Sequence, residues 1–104
     1  MISVAALLDD NRITDFCRLH GRWQREGDAL VTEIKAATFL DGIAAVSAVA
    51  QVAEEMDHHP DIDIRWRTVI FRLTTHSAGG ITDLDTDLAE RIDVIVDASE
   101  GLAT

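Results

Sequence analysis

Three of the four histidines fall in two short stretches, His58-His59-Pro60 and Thr75-His76-Ser77-Ala78-Gly79-Gly80. Imidazole is the side chain whose ordinary pKa lies nearest neutrality, so these positions can give or take a proton at physiological pH. Glu54 stands four residues before His58, the spacing that puts two side chains on one side of a helix. A carboxylate there is expected to hydrogen-bond the His58 ring and set its tautomer. Gly79 and Gly80 would let a flat ligand approach the backbone closely. Asp85 has two readings: the third position of a helix-capping box begun by Thr82, or an orienting carboxylate. Together the two stretches suit metal-free acid–base chemistry. Zinc is the competing use of three histidines with acidic neighbours. Adjacent histidines are awkward for gripping one ion, however, since helix-borne ligands are usually spaced one turn apart.

The elements that must position these residues follow from periodicity. Residues 3–19 are helix-prone: Val4, Leu7 and Leu8 repeat at helical spacing, and Asp10 or Asn11 is placed to cap a second turn carrying Ile13, Phe16, Cys17 and Leu19. Gly21 suits the left-handed closing residue, and His20 falls in an exposed polar turn. Trp23–Glu26 and Ala29–Ala36 form a hairpin turning at Gly27-Asp28, with Leu30, Thr32, Ile34 and Ala36 on one face. A helix runs from Thr38 to about Met56, with Phe39, Ile43, Val46, Val49, Ala50 and Ala53 as its apolar stripe. Glu54, Glu55 and Asp57 crowd its C-terminal end, where the helix dipole disfavours negative charge, and Pro60 forbids continuation. Ile62, Ile64 and Trp66 alternate out of phase with Val69, Phe71 and Leu73, which requires a bulge or a tight turn near Arg67; two short strands are the preferred reading, with Trp66 walling the site or, by preference, filling core. Thr82 opens a last helix that buries Leu84, Leu88, Ile92 and Ile95. The order α-β-β-α-β-β-α implies an α+β domain with helices packed on one face of an antiparallel sheet. If the last two strands pair, their open end brings His76 beside the His58-His59 loop.

Composition narrows the rest. At 104 residues, the chain is expected to form one domain spanning residues 1–104. Nineteen acidic against nine basic residues give a formal charge of −10, which disfavours nucleic acid and anionic membranes as partners. The single cysteine, Cys17, reads as a small core residue and suits a reducing compartment. Without a signal-like start or a long apolar run, the expected location is the cytoplasm.

The string Glu54-x-x-Asp57-His58-His59-Pro60 followed by Leu73-Thr74-Thr75-His76-Ser77-Ala78-Gly79-Gly80-Ile81-Thr82-x-x-Asp85-x-x-Leu88-Ala89 resembles the pterin-4a-carbinolamine dehydratases. The similarity covers roughly residues 20–96, including Trp23 and Phe39. Ile62 stands where many relatives carry an aromatic, and Ile34 and Ala36 also occupy places where aromatics are common. The resemblance implies a four-stranded antiparallel sheet and pairing of subunits into homodimers and homotetramers. It implies dehydration of 4a-hydroxytetrahydropterin to quinonoid dihydropterin and water without metal or cofactor, the pterin being the substrate. His58, His59 and His76 match the catalytic positions, with Glu54 and Asp85 as orienting groups. Such an enzyme would serve tetrahydrobiopterin recycling beside an aromatic amino-acid hydroxylase. The alternative on the same fold is a non-catalytic binding module, a dimerisation cofactor or assembly factor; retention of all three histidines favours the enzyme.

Overall fold

The structure, a computed structural model, describes residues 5–103. Its elements are α1 (Asp10–Leu19), β1 (Gln24–Glu26), β2 (Ala29–Ala36), α2 (Phe39–Met56), β3 (Asp61–Arg65), β4 (Thr68–Leu73), α3 (Asp83–Asp97) and β5 (Leu102–Ala103), with a 3-10 turn at His76–Ala78. The α+β order expected from the sequence is present. The sheet is antiparallel in the order β1-β2-β4-β3. A fifth short strand, β5, joins the sheet by pairing with Lys35 and Ala36 of β2. β1 pairs only with Ala29, Leu30 and Val31, which leaves that far end of the β2 edge open for β5.

The core forms where the inward positions of β2 and β4 meet: Leu30 opposite Leu73, Thr32 opposite Phe71, Ile34 opposite Val69. All six are at most 2% exposed. Helices α2 and α3 cover this face. The buried line of α2 is Gly42, Ala45, Val49 and Ala53, rotated from the expected stripe: Phe39 is 47% exposed and Ala50 is exposed too. Small residues win this face because they let the helix approach closely. A Cβ on Gly42 would lie 3.3 Å from Val69 Cγ2. From α3 come Leu88, Ile92 and Val96, while Leu84 and Ile95 are only partly buried.

Several local expectations change for identifiable reasons. The N-terminal region contains one described helix, capped by Asp9, whose side chain accepts the Arg12 N–H. Leu7 and Leu8 precede it, bridging to Thr82 and bonding the Ile81 carbonyl. Val4 lies outside the described residues. Gly21 is not left-handed. His20 is partly buried, stacked on Phe16 with centroids 4.2 Å apart and lying 3.5 Å from Asp93. Trp66 is 72% exposed, not core: it occupies the hairpin tip in a left-handed conformation (φ 54°), with Arg67 stacked 4.4 Å from its ring centre. That two-residue turn accounts for the phase slip between β3 and β4.

Two polar groups tie the β1 side of the sheet to α3. The Trp23 indole N–H and the Arg22 guanidinium both donate to Asp93 Oδ1 at 2.9 Å, and Arg22 also reaches Asp97. Burial works against the Arg22 charge, but its bonds to Asp97 and Asp93 outweigh that penalty and hold its pKa above the ordinary value.

Candidate functional site

The reversal at the end of α2 creates the first half of the site. Asp57 adopts the left-handed conformation (φ 50°) that usually falls to glycine, and its N–H bonds the Ala53 and Glu54 carbonyls. The His58 N–H returns to the Ala53 carbonyl at 3.0 Å. This six-to-one closure satisfies helix-end carbonyls and throws the chain off the helix axis, and Asp tolerates the conformation better than most residues. His58 is then buried and His59 exposed.

Their surroundings differ accordingly. His58 is 9% exposed, and its Nε2 lies 2.6 Å from Asp85 Oδ1. Asp85, fully buried, accepts two further hydrogen bonds on Oδ2, from the Thr75 hydroxyl at 2.8 Å and the Thr82 backbone N–H at 2.9 Å. The Thr82 side chain completes the capping box at the start of α3. Asp85 therefore caps α3 and at the same time contacts His58, the histidine that helical spacing had paired with Glu54. Since Asp85 is acceptor-only when ionised, the His58 Nε2 carries the proton in this contact and Nδ1 is the nitrogen left for other partners.

Glu54 does not pair with His58. Its Oε1 lies 3.4 Å from His59 Nε2, and both side chains are exposed. The i,i+4 argument fails because α2 ends at Met56, so His58 no longer follows the helical spiral. His76 opens the 3-10 turn and is exposed. With Asp61, Arg72, Thr74, Glu26 and Asp28 it lines an open cleft of about 320 Å³ on the side of the sheet away from the helices. Neither His58 nor His59 lines that cleft. The three imidazoles thus follow or precede the end of the β3–β4 pair where Asp61 meets Arg72, but in three different environments, and His76 alone of the three lines the cleft.

Gly79 is left-handed (φ 79°) with open space around it. Gly80 has no positive φ, and a Cβ there would lie 3.0 Å from Leu7 Cδ2, the tip of an exposed side chain with room to shift. Among the described residues, no three His, Cys, Asp or Glu side chains gather closely enough to hold a metal ion. No helix among them is long and apolar enough to cross a membrane. Thr75 and Thr82 escaped the sequence reading of the site. The signal for Thr75 was present: it continues the inward alternation Val69, Phe71, Leu73, where an apolar residue would be expected.

Comparison with known proteins bears on the family and the fold. A sequence family described as "Pterin 4 alpha carbinolamine dehydratase" matches residues 6–95. A protein of Mycobacteroides abscessus named "Putative pterin-4-alpha-carbinolamine dehydratase" is 57% identical over 88 residues, 85% of this chain and 94% of its own. One of the same name from Mycolicibacterium smegmatis is 61% identical over 74 residues, 71% and 79% of the two chains. A crystal structure of a "transcriptional coactivator/pterin dehydratase" from Brucella melitensis superposes with a TM-score of 0.81 at 28% identity, covering 85% of this chain and 96% of that one. A pterin dehydratase-like RuBisCO assembly factor of the alpha-carboxysome shares the fold, with a TM-score of 0.58 at 23% identity over 71% of this chain and 86% of that one.

Proposed function

The chain belongs to the pterin 4 alpha carbinolamine dehydratase family, and from that premise we propose that it dehydrates 4a-hydroxytetrahydropterin by histidine acid–base catalysis. The reaction breaks the C4a–O bond, removes the N5 proton and releases the hydroxyl as water, leaving quinonoid dihydropterin. It needs one proton donor at the leaving oxygen and one acceptor at N5. Positioned groups of this kind contribute about 10²–10⁴-fold.

In this reading His58, with Nε2 committed to Asp85, accepts the N5 proton through Nδ1, and solvent-exposed His76 donates to the departing hydroxyl. His59 and Glu54 orient the pterin from the exposed side of the loop. The observation that carries the proposal is the buried His58–Asp85 contact, because a carboxylate fixing one ring nitrogen is how an imidazole is held in a single tautomer for proton transfer. The physiological setting we infer is recycling of a tetrahydropterin oxidised by a hydroxylase, by a homo-oligomer in the cytoplasm.

The test is a dehydration assay on synthetic 4a-hydroxytetrahydropterin. Wild type should exceed the spontaneous rate, and His76→Ala should lose roughly 10²-fold or more while remaining folded. Wild type with no more than the spontaneous rate would turn the reading to a non-catalytic binding module.

A further inference from the structure

We propose that Thr75 is the positioning residue that fixes the His58 ring, acting through Asp85; as a statement about this reaction it rests on the dehydratase reading above. Capping α3 asks little of Asp85, since one carboxylate oxygen accepting the Thr82 N–H completes the box. The structure supplies more. Oδ2 receives a second donor from another element, the Thr75 hydroxyl, and the whole group is sealed: Thr75 is 5% exposed, Thr82 and Asp85 not at all. Held by one N–H alone, the carboxylate can swing about that bond. Two donors arriving from β4's extension and from the α3 cap leave Oδ1 one direction, the one in which His58 Nε2 lies at 2.6 Å.

The donor order is determined. Thr82 Oγ1 accepts the Leu84 N–H. Because the Thr75 hydroxyl proton goes to Asp85, the Thr82 hydroxyl donates to Thr75 Oγ1 across the 2.8 Å contact. The relay runs Thr82, Thr75, Asp85, His58, each link buried. The β3–β4 pairing ends at Asp61 and Arg72, and His58 and Thr75 each lie three residues beyond that last pair.

Two readouts on Thr75→Val and Thr75→Ser, each checked for folding by circular dichroism, test this. The first is the His58 imidazole N–H proton resonance, which so short a bond to a carboxylate should move far downfield and protect from exchange. We expect it in wild type and Thr75→Ser, and shifted upfield or lost by exchange in Thr75→Val. The second is turnover: kcat of Thr75→Val should fall roughly ten- to a hundredfold, as small misplacements of reacting groups do. KM should move less than about twofold and Thr75→Ser should retain most of kcat, because Thr75 is buried and acts through Asp85. An unchanged resonance in Thr75→Val overturns the proposal, as does a serine variant that fails as badly as valine. A wild type with the downfield resonance but no dehydration sinks the dehydratase reading alone and upholds the orienting contact.

Discussion

Two neighbouring histidines, identical in chemistry, have been given opposite surroundings. His58 is sealed against a carboxylate that is itself held by two further donors. His59 stands more than half exposed beside Glu54, also exposed. One peptide bond separates them, so composition and spacing do not distinguish them; the burial of one and the exposure of the other do. Burial makes the His58 contact directional and costly to break, whereas water screens the His59 contact and lets both side chains move. The pair therefore sets a fixed group beside an adaptable one.

That contrast is broken most severely by deleting the two carboxylates in parallel. Asp85→Ala strands His58, Thr75 and the Thr82 N–H in a dry interior, and should cost about 3–5 kcal/mol in urea unfolding. Glu54→Ala removes an exposed partner and should change stability by no more than about 0.5 kcal/mol. Similar effects from the two would mean that the corner is not built as described.

A smaller effect sharpens the comparison from elsewhere in the molecule. Cys17 is packed against the core, and burial pushes its thiol pKa up, with Arg25 pulling weakly the other way. Its thiolate is thus scarcer than that of a free cysteine at pH 8, and disulfide reagents should react with it more slowly until the chain is unfolded. The sign for stability follows: the unfolded chain ionises this thiol first, so the folded state loses stability as pH rises through the alkaline range. A native reaction rate equal to the unfolded rate would contradict the burial.

The fold was legible where pattern and punctuation agreed. Ala29–Ala36 was bounded correctly because Gly27 turns with positive φ and the alternation that follows is clean. The phase slip at Trp66 and Arg67 was read as a turn, but Trp66 was misjudged as core, since hydrophobicity says nothing of a residue at a hairpin tip. β5 was invisible because two residues carry no period. At the site, residue types were readable and partners were not. Glu54 was matched to His58 by helical spacing, which holds only while the helix lasts, and the helix stops two residues earlier. The true partner, Asp85, lies 27 residues on, reached only through the pairing of β3 with β4 and the return of α3.

The central claim is that His58, His59 and His76 make one pterin site. It is tested most directly by titrating the protein with a stable dihydropterin while following its imidazole resonances. The account expects the signals of all three to shift together at one binding constant, with His20, stacked on Phe16 at the end of α1, unmoved. A pterin that shifts none of the three, or moves His20 in their place, would contradict it.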